Sequence, residues 1–130
     1  MAAIYREVRI AVPPEKLWDA VRDIGALHTR LVPGFVVDTK LEPGARVVTF
    51  ANGMTVRELI VAVDEARRRV VWSAVGGPMT HHNASFQVLQ DGESGCCGVW
   101  IADLLPDELE PQVAAMMDAG LAAMKRAQET

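Results

Sequence analysis

The C-terminal quarter of the chain, residues 106–130, carries the clearest hydrophobic pattern, with apolar residues at intervals of three and four. Charged residues fall between them, so this segment has one apolar and one polar side, as an amphipathic helix does. The apolar stripe consists of Leu109, Val113, Met116, Met117, Gly120, Met124 and Ala127. About eighteen helical residues would span roughly 27 Å. We therefore predict a long C-terminal helix whose apolar side lies on a sheet.

The first part of the chain changes from strand-like alternation to helical spacing. Apolar and polar residues alternate over residues 4–12, which predicts a half-buried strand. Over residues 15–24 the apolar positions follow helical spacing, and Gly25 is typical of a helix terminus. A shorter helical turn is predicted for residues 26–32. Two short helices therefore follow the first strand.

The middle of the chain is divided by turn signals rich in glycine, proline, asparagine and aspartate. They predict six strands, near residues 34–41, 45–51, 54–64, 68–75, 80–90 and 95–104. Connections this short allow only antiparallel neighbours. The predicted fold class is therefore α+β, and a length of 130 residues predicts a single domain.

Composition narrows the functional classes. The net charge of -4 and scattered basic residues give no cationic surface for nucleic acid. No apolar run is long enough for a membrane span, and the N-terminus lacks the pattern of a signal peptide, so we expect a soluble, cytoplasmic protein. Cys96 and Cys97 are adjacent, which predicts reduced, structural thiols.

Three segments together resemble a known superfamily. The segment PPEKLWDAVRDIGALHTRLVPGF is similar to the opening of START-like, Bet v 1-like (SRPBCC) proteins, particularly the polyketide cyclase/dehydrase and lipid-transport branch. VRELIVAVDEARRRVVW resembles the fourth and fifth strands of that family. GGPMTHHNASF and VWIAD resemble the Gly-Gly latch, sixth strand and seventh strand of plant abscisic-acid receptors. This resemblance covers nearly the whole chain and implies that residues 1–130 form a single domain with a helix-grip fold. In that fold a curved seven-stranded antiparallel sheet surrounds the C-terminal helix, with a ligand cavity between them.

Strand parity predicts which side chains face that cavity, because alternate residues point to opposite faces. On the second strand we place Phe35, Val37 and Leu41 inward. The same alternation directs His82 and Phe86 of the sixth strand inward, with Ala84 and Val88 in the same phase.

Alternation alone does not decide which side chains of the fourth and seventh strands face the cavity. Resemblance to the hormone receptors places Glu58 inward, together with Val56, Ile60 and Ala62. On the seventh strand either Trp100 or Val99 faces inward. We choose Trp100, because WIAD matches the Trp-x-x-Asp pattern of the family and a buried indole removes more apolar surface from water. The full predicted ligand-binding set is Phe35, Val37, Val56, Glu58, Ile60, Trp72, Ala74, Met79, His82, Ala84, Phe86, Trp100, Val113, Met116, Met117, Gly120 and Met124.

Glu58 and His82 are the candidate catalytic residues, because a carboxyl and an imidazole facing an apolar cavity can transfer protons. Their strands are two apart, about 10 Å, so they are not expected to form a direct pair. Asp103 could orient His82 only if the seventh strand were shifted by one residue. His81 and His82 point to opposite faces, so no metal site and no cofactor are predicted.

Two functions remain open from the sequence. The first is binding or carriage of a small hydrophobic molecule, such as a lipid or a polyketide-like compound. The second is an aromatase/cyclase or dehydratase type of enzyme in which Glu58 or His82 moves protons. By resemblance, the loops at residues 51–54 and 76–79 would flank the cavity mouth as gate and latch.

Overall fold

The computed structural model describes residues 1–130 and has the predicted order of elements. The strands are β1 (Ala2–Ile10), β2 (Val36–Glu42), β3 (Ala45–Phe50), β4 (Thr55–Asp64), β5 (Arg69–Val75), β6 (His81–Asp91) and β7 (Gly95–Leu105). Helix α1 (Pro14–Arg22) and a π-helical turn (Leu27–Leu31) follow β1. A short 3-10 turn (Asp107–Leu109) precedes the long helix α2 (Glu110–Gln128).

The seven strands form one antiparallel sheet in the order β1-β7-β6-β5-β4-β3-β2. Because β1 and β2 lie at opposite edges, α1 and the π-helical turn connect one edge of the sheet to the other. The sheet curves around α2, and the predicted helix-grip fold is confirmed.

Helix α1 packs against the end of the sheet through an apolar stripe that includes Leu17, Trp18 and Val21, all buried. The Trp18 indole N–H donates a 3.0 Å hydrogen bond to Glu65 in the turn between β4 and β5, and Arg22 donates a 2.8 Å bond to the other oxygen of that carboxylate. These bonds fix the position of α1 over the end of the sheet.

Helix α2 lies unusually close to the sheet at Gly120. A β-carbon at this position would be 3.1 Å from Trp100 Cζ3 and 3.2 Å from Phe35 Cε2. Glycine lowers helix stability by about 1 kcal/mol relative to alanine. The close approach of these two rings gives a structural reason for this glycine.

The inward placement of Val37 on β2 is wrong. Val36 is 2% exposed and Val37 is 54% exposed, the reverse of the predicted alternation. The pairing of β2 with β3 shifts register between Val36 and Asp38, and such a bulge restarts the alternation of faces. Leu41 pairs with the buried Arg46 and therefore lies on the same, inner face of the sheet. Its side chain, at the end of the strand, is nevertheless 60% exposed.

The register of β6 and β7 resolves the alternative left open for Trp100. Phe86 pairs with Trp100, and Asn83 pairs with Asp103, as the unshifted hairpin predicts. Directly opposed residues share a face of the sheet. Asp103 therefore lies on the face opposite to His82, which pairs with Leu104.

Candidate functional site

A cavity of about 260 Å³ lies between the concave face of the sheet and α2. It is bordered by 29 residues, of which 21 are hydrophobic. They come from α1, the segment between α1 and β2, strands β2 to β7, the loops that follow β3 and β5, the 3-10 turn and α2. The five polar side chains at its border are Arg46, Thr55, Glu58, His82 and Gln112.

Most of the predicted cavity residues border this space. They are Phe35, Val56, Glu58, Trp72, Ala74, Met79, His82, Phe86, Trp100, Val113, Met116, Met117 and Met124. Val37 does not, because the bulge in β2 turns it outward. Ile60 and Ala84 pack in or against the core without bordering the cavity, and Gly120 lies beneath two rings that do. Ala62, which follows a second register shift in β4, is exposed.

An aromatic band of Trp72, Phe86 and Trp100, all members of the predicted binding set, lies on the sheet side of the cavity. The ring centres of Trp72 and Trp100 are 6.0 Å apart, and those of Phe86 and Trp100 are 6.5 Å apart with the rings at 76°. Such tilted and edge-to-face contacts are favourable for aromatic pairs. The band gives the cavity a wall suited to a flat apolar group.

Methionine side chains provide much of the remaining wall. Five of the six methionines border the cavity, namely Met54, Met79, Met116, Met117 and Met124. Unbranched, polarizable side chains adapt to differently shaped neighbours. Three of these methionines lie on α2, so the helix side of the cavity adapts to a ligand more readily than the aromatic side does.

The two loops expected at the mouth both contribute to it. Met54 borders the cavity from the loop between β3 and β4, and residues 76–79 do so from the loop between β5 and β6. Gly76 and Gly77 have φ angles of 85° and 67°, which glycine adopts more readily than other residues. The structure thus places the predicted gate and latch segments beside the cavity.

Glu58 is paired with a residue that the sequence analysis missed, Arg46 on β3. Arg46 Nε donates a 2.8 Å hydrogen bond to Glu58 Oε1, and the two side chains are only 5% and 11% exposed. Arg46 Nη1 also donates to the Ile24 carbonyl at 3.3 Å, and its guanidinium lies 5.4 Å from the centre of the Trp72 ring. Burial raises the pKa of the Glu58 carboxyl, and the Arg46 charge opposes that rise. Two of the five polar side chains at the cavity border therefore form a buried ion pair.

His82 is held at the end where β5 and β6 separate. Regular pairing of these strands ends at Trp72 and Ala84. Beyond that point, the Ala74 backbone N–H donates a 2.9 Å hydrogen bond to His82 Nδ1, and Ser73 Oγ donates to the His82 carbonyl. Because Nδ1 accepts, the neutral ring carries its proton on Nε2.

Burial lowers the pKa of His82 below the usual value for histidine. The charge of His81 lowers this pKa by a smaller amount, and the charge of Asp103 raises it. Asp103 faces the other side of the sheet, so it does not orient the imidazole. The geometry therefore contains no His82–Asp103 pair.

Other candidate chemical groups do not assemble into a site. No three or more His, Cys, Asp or Glu side chains are grouped so that they could hold a metal ion. Cys96 and Cys97 are free thiols, and burial raises the pKa of each, which disfavours the reactive thiolate.

Known proteins share the fold of this chain. The curved seven-stranded sheet and the long C-terminal helix define a helix-grip protein. The sequence model of the family described as "Polyketide cyclase / dehydrase and lipid transport" matches residues 1–129, so the chain belongs to that family. This confirms the superfamily resemblance predicted from the sequence. No protein of curated function matches the chain.

Solved structures agree on the fold. An uncharacterized protein from Bacillus thuringiensis superposes with a TM-score of 0.87 at 20% identity, covering 98% of each chain. A protein from Thermobifida fusca gives 0.81 at 28% identity, covering 98% of this chain and 93% of its own. Norcoclaurine synthase from Thalictrum flavum gives 0.75 at 19% identity, covering 96% of this chain and 84% of its own. No helix in the chain combines the length and apolarity needed to cross a membrane.

Proposed function

We propose that this protein binds a small, largely apolar molecule in the cavity between the sheet and α2. The observation that carries the proposal is the composition of the cavity border, where 21 of 29 residues are hydrophobic and the few polar groups converge from different strands. Concave apolar pockets with a small number of placed polar groups are typical of ligand sites. Membership of a family that includes polyketide and lipid-binding proteins supports the same proposal.

The size of the cavity favours a compact ligand. Its volume of about 260 Å³ lies just below the usual range for ligand pockets, about 300–1,000 Å³. The aromatic band favours flat rings over flexible chains, because a rigid flat group contacts the rings with a smaller loss of conformational freedom. A polyketide-like or other ring-containing molecule therefore fits better than a long-chain lipid.

A nitrogen-15 NMR titration with a compact apolar probe, 2-methylnaphthalene, tests the proposal. We expect the largest shifts on α2 and on the strands carrying Trp72, Phe86 and Trp100. The outward-facing Val37 and Val61, which are 54% and 59% exposed, serve as internal controls and should not shift. Shifts absent from the cavity border, or confined to the outer face, would contradict the proposal.

A second candidate, an enzyme of the cyclase or dehydratase kind, is favoured by one observation. Glu58 borders the cavity and burial raises its pKa, which suits a carboxyl that takes part in proton transfer. The fold itself is compatible with catalysis, since norcoclaurine synthase is built on it.

The separation of His82 from Asp103 favours the binding function over this second candidate. We expect the His82→Ala and Glu58→Gln variants to bind 2-methylnaphthalene within about tenfold of the unmodified protein, a change of 1.4 kcal/mol or less. Turnover of a poly-β-ketone mimic that both substitutions abolish would instead establish the enzyme.

A further inference from the structure

The Arg46–Glu58 pair leaves two polar atoms without partners at the cavity. Arg46 uses Nε and Nη1 for hydrogen bonds within the protein, and Glu58 uses Oε1. Arg46 Nη2 and Glu58 Oε2 make no such bond, and no unpartnered side-chain nitrogen or oxygen in the protein is sealed from solvent. Because both residues border the cavity, these two atoms are available to a molecule inside it. One is a hydrogen-bond donor and the other an acceptor.

The pair is held in place before any ligand arrives. Arg46 contacts the Glu58 carboxylate at 2.8 Å, the Ile24 carbonyl at 3.3 Å and the face of Trp72 at 5.4 Å. Three contacts from three directions restrict the guanidinium to one orientation. A polar group fixed in this way binds a ligand with little further loss of conformational freedom.

The charge of the pair determines which ligand group it suits. The two opposite charges cancel, so the free edge of Arg46 is not an unbalanced cation. A ligand carboxylate on Nη2 would lie beside the Glu58 carboxylate, and two like charges at a buried site repel each other. A hydroxyl group has one donor and an acceptor oxygen, so it can accept from Nη2 and donate to Oε2 without adding charge.

We propose that the Arg46–Glu58 pair binds the hydroxyl group of an uncharged, flat, apolar ligand such as a phenol or an enol, and selects against carboxylates. Acidic hydroxyls donate strong hydrogen bonds to a carboxylate. Trp72 contacts the Arg46 guanidinium and also belongs to the aromatic band, so a ring attached to the hydroxyl lies directly on that band. This inference rests on the proposed function, because it requires a ligand in the cavity.

Three probes that share one ring system test it: 2-methylnaphthalene, 2-naphthol and 2-naphthoate, compared by calorimetry at pH 7. The first two are uncharged and the third is an anion. We expect 2-naphthol to bind about five- to tenfold more tightly than 2-methylnaphthalene, the usual net effect of about one hydrogen bond. We expect 2-naphthoate to bind most weakly.

A double variant then assigns the preference to the pair. Arg46→Met with Glu58→Leu removes both charges, and we expect it to reduce the ratio of the 2-naphthol and 2-methylnaphthalene affinities to about one. The matched control is Arg57→Met with Glu42→Leu, which removes an exposed 2.9 Å ion pair from the outer face. That control should keep the ratio of the unmodified protein. If the first variant does not fold, the Arg46 Nε–H resonance of the unmodified protein gives the answer, since 2-naphthol should shift it far more than 2-methylnaphthalene does.

The outcomes separate this inference from the proposed function. If none of the probes binds, the proposed function fails. If 2-methylnaphthalene and 2-naphthol bind equally well, the cavity binds apolar ligands but the hydroxyl site is refuted. Tightest binding of 2-naphthoate would show an anion site and also overturn the inference.

Discussion

Replacing Arg46 by methionine should destabilise the protein in a way that depends on pH. The substitution keeps much of the side-chain volume but leaves the Glu58 carboxylate, 11% exposed, without its partner. Removing one member of a buried ion pair typically costs about 3–5 kcal/mol, because the remaining charge is uncompensated. We expect a loss of this size at pH 8.

The loss should shrink as the pH falls. Without Arg46, only burial acts on Glu58, so its folded-state pKa is raised further above the unfolded value of about 4.3. Between these two pKa values the folded protein holds a proton that the unfolded chain releases. The free energy of unfolding therefore rises as the pH falls, by up to about 1.4 kcal/mol per pH unit.

Two further variants provide the controls. Glu58→Gln removes the titrating carboxyl, so the free energy of unfolding of this variant should lack the Glu58 component of the pH dependence. Arg57→Met breaks an ion pair whose side chains are 47% and 45% exposed and should cost at most about 1 kcal/mol. Urea unfolding at half-unit steps from pH 5.5 to 8.5 measures all of these values. A loss for Arg46→Met that is constant with pH, or no larger than that of Arg57→Met, would refute the buried, ionised pair.

Three other predictions concern the rest of the site. Gly120→Ala should change the free energy of unfolding by no more than about 1 kcal/mol, because the gain in helix propensity is offset by the displacement of the Trp100 and Phe35 rings. Because those rings move into the cavity, calorimetry should show weaker binding of 2-methylnaphthalene. An unchanged affinity would contradict the close packing at Gly120. The pKa of His82 is lowered in the folded protein, so its contribution to the free energy of unfolding is present above about pH 6.5 and is lost as the pH falls below that value. In urea unfolding, the His82→Ala variant should lack this part of the pH dependence. Hydrogen exchange should be faster in residues 51–54 and 76–79 than in the strands and should slow with ligand; equal protection with and without ligand would exclude gating.

Much of the fold could be predicted because alternation and turn signals agree along the chain. The hairpin around Asp91 and Gly92 is an example. The inward choice of both Phe86 and Trp100 requires a register that sets the two residues opposite each other, and the structure has this pairing. Indole burial and the hairpin register pointed to the same face, so the two local arguments supported each other.

The predictions failed where one extra residue changes the pairing. The bulge near Val37 comes from the pairing of β2 with β3, and nothing in the alternation of β2 alone indicates it. Arg46 was missed for a related reason. A two-residue turn at Asn52 and Gly53 would place Arg46 and Glu58 on opposite faces, whereas the observed three-residue loop pairs them directly. Arg46 does alternate with Val48 and Phe50, and this pattern could have indicated its inward direction.

The central claim, that the cavity binds a small apolar molecule, is tested most directly by the methionine methyl groups. Five of them border the cavity, whereas Met1 is 64% exposed at the chain terminus and serves as an internal control. With carbon-13 labelled methionine methyls, NMR titration of 2-methylnaphthalene should shift the signals of Met54, Met79, Met116, Met117 and Met124 and leave Met1 unchanged. Saturating shifts confined to these five would support the claim. Cavity methyl signals that stay unchanged at saturating probe would contradict it.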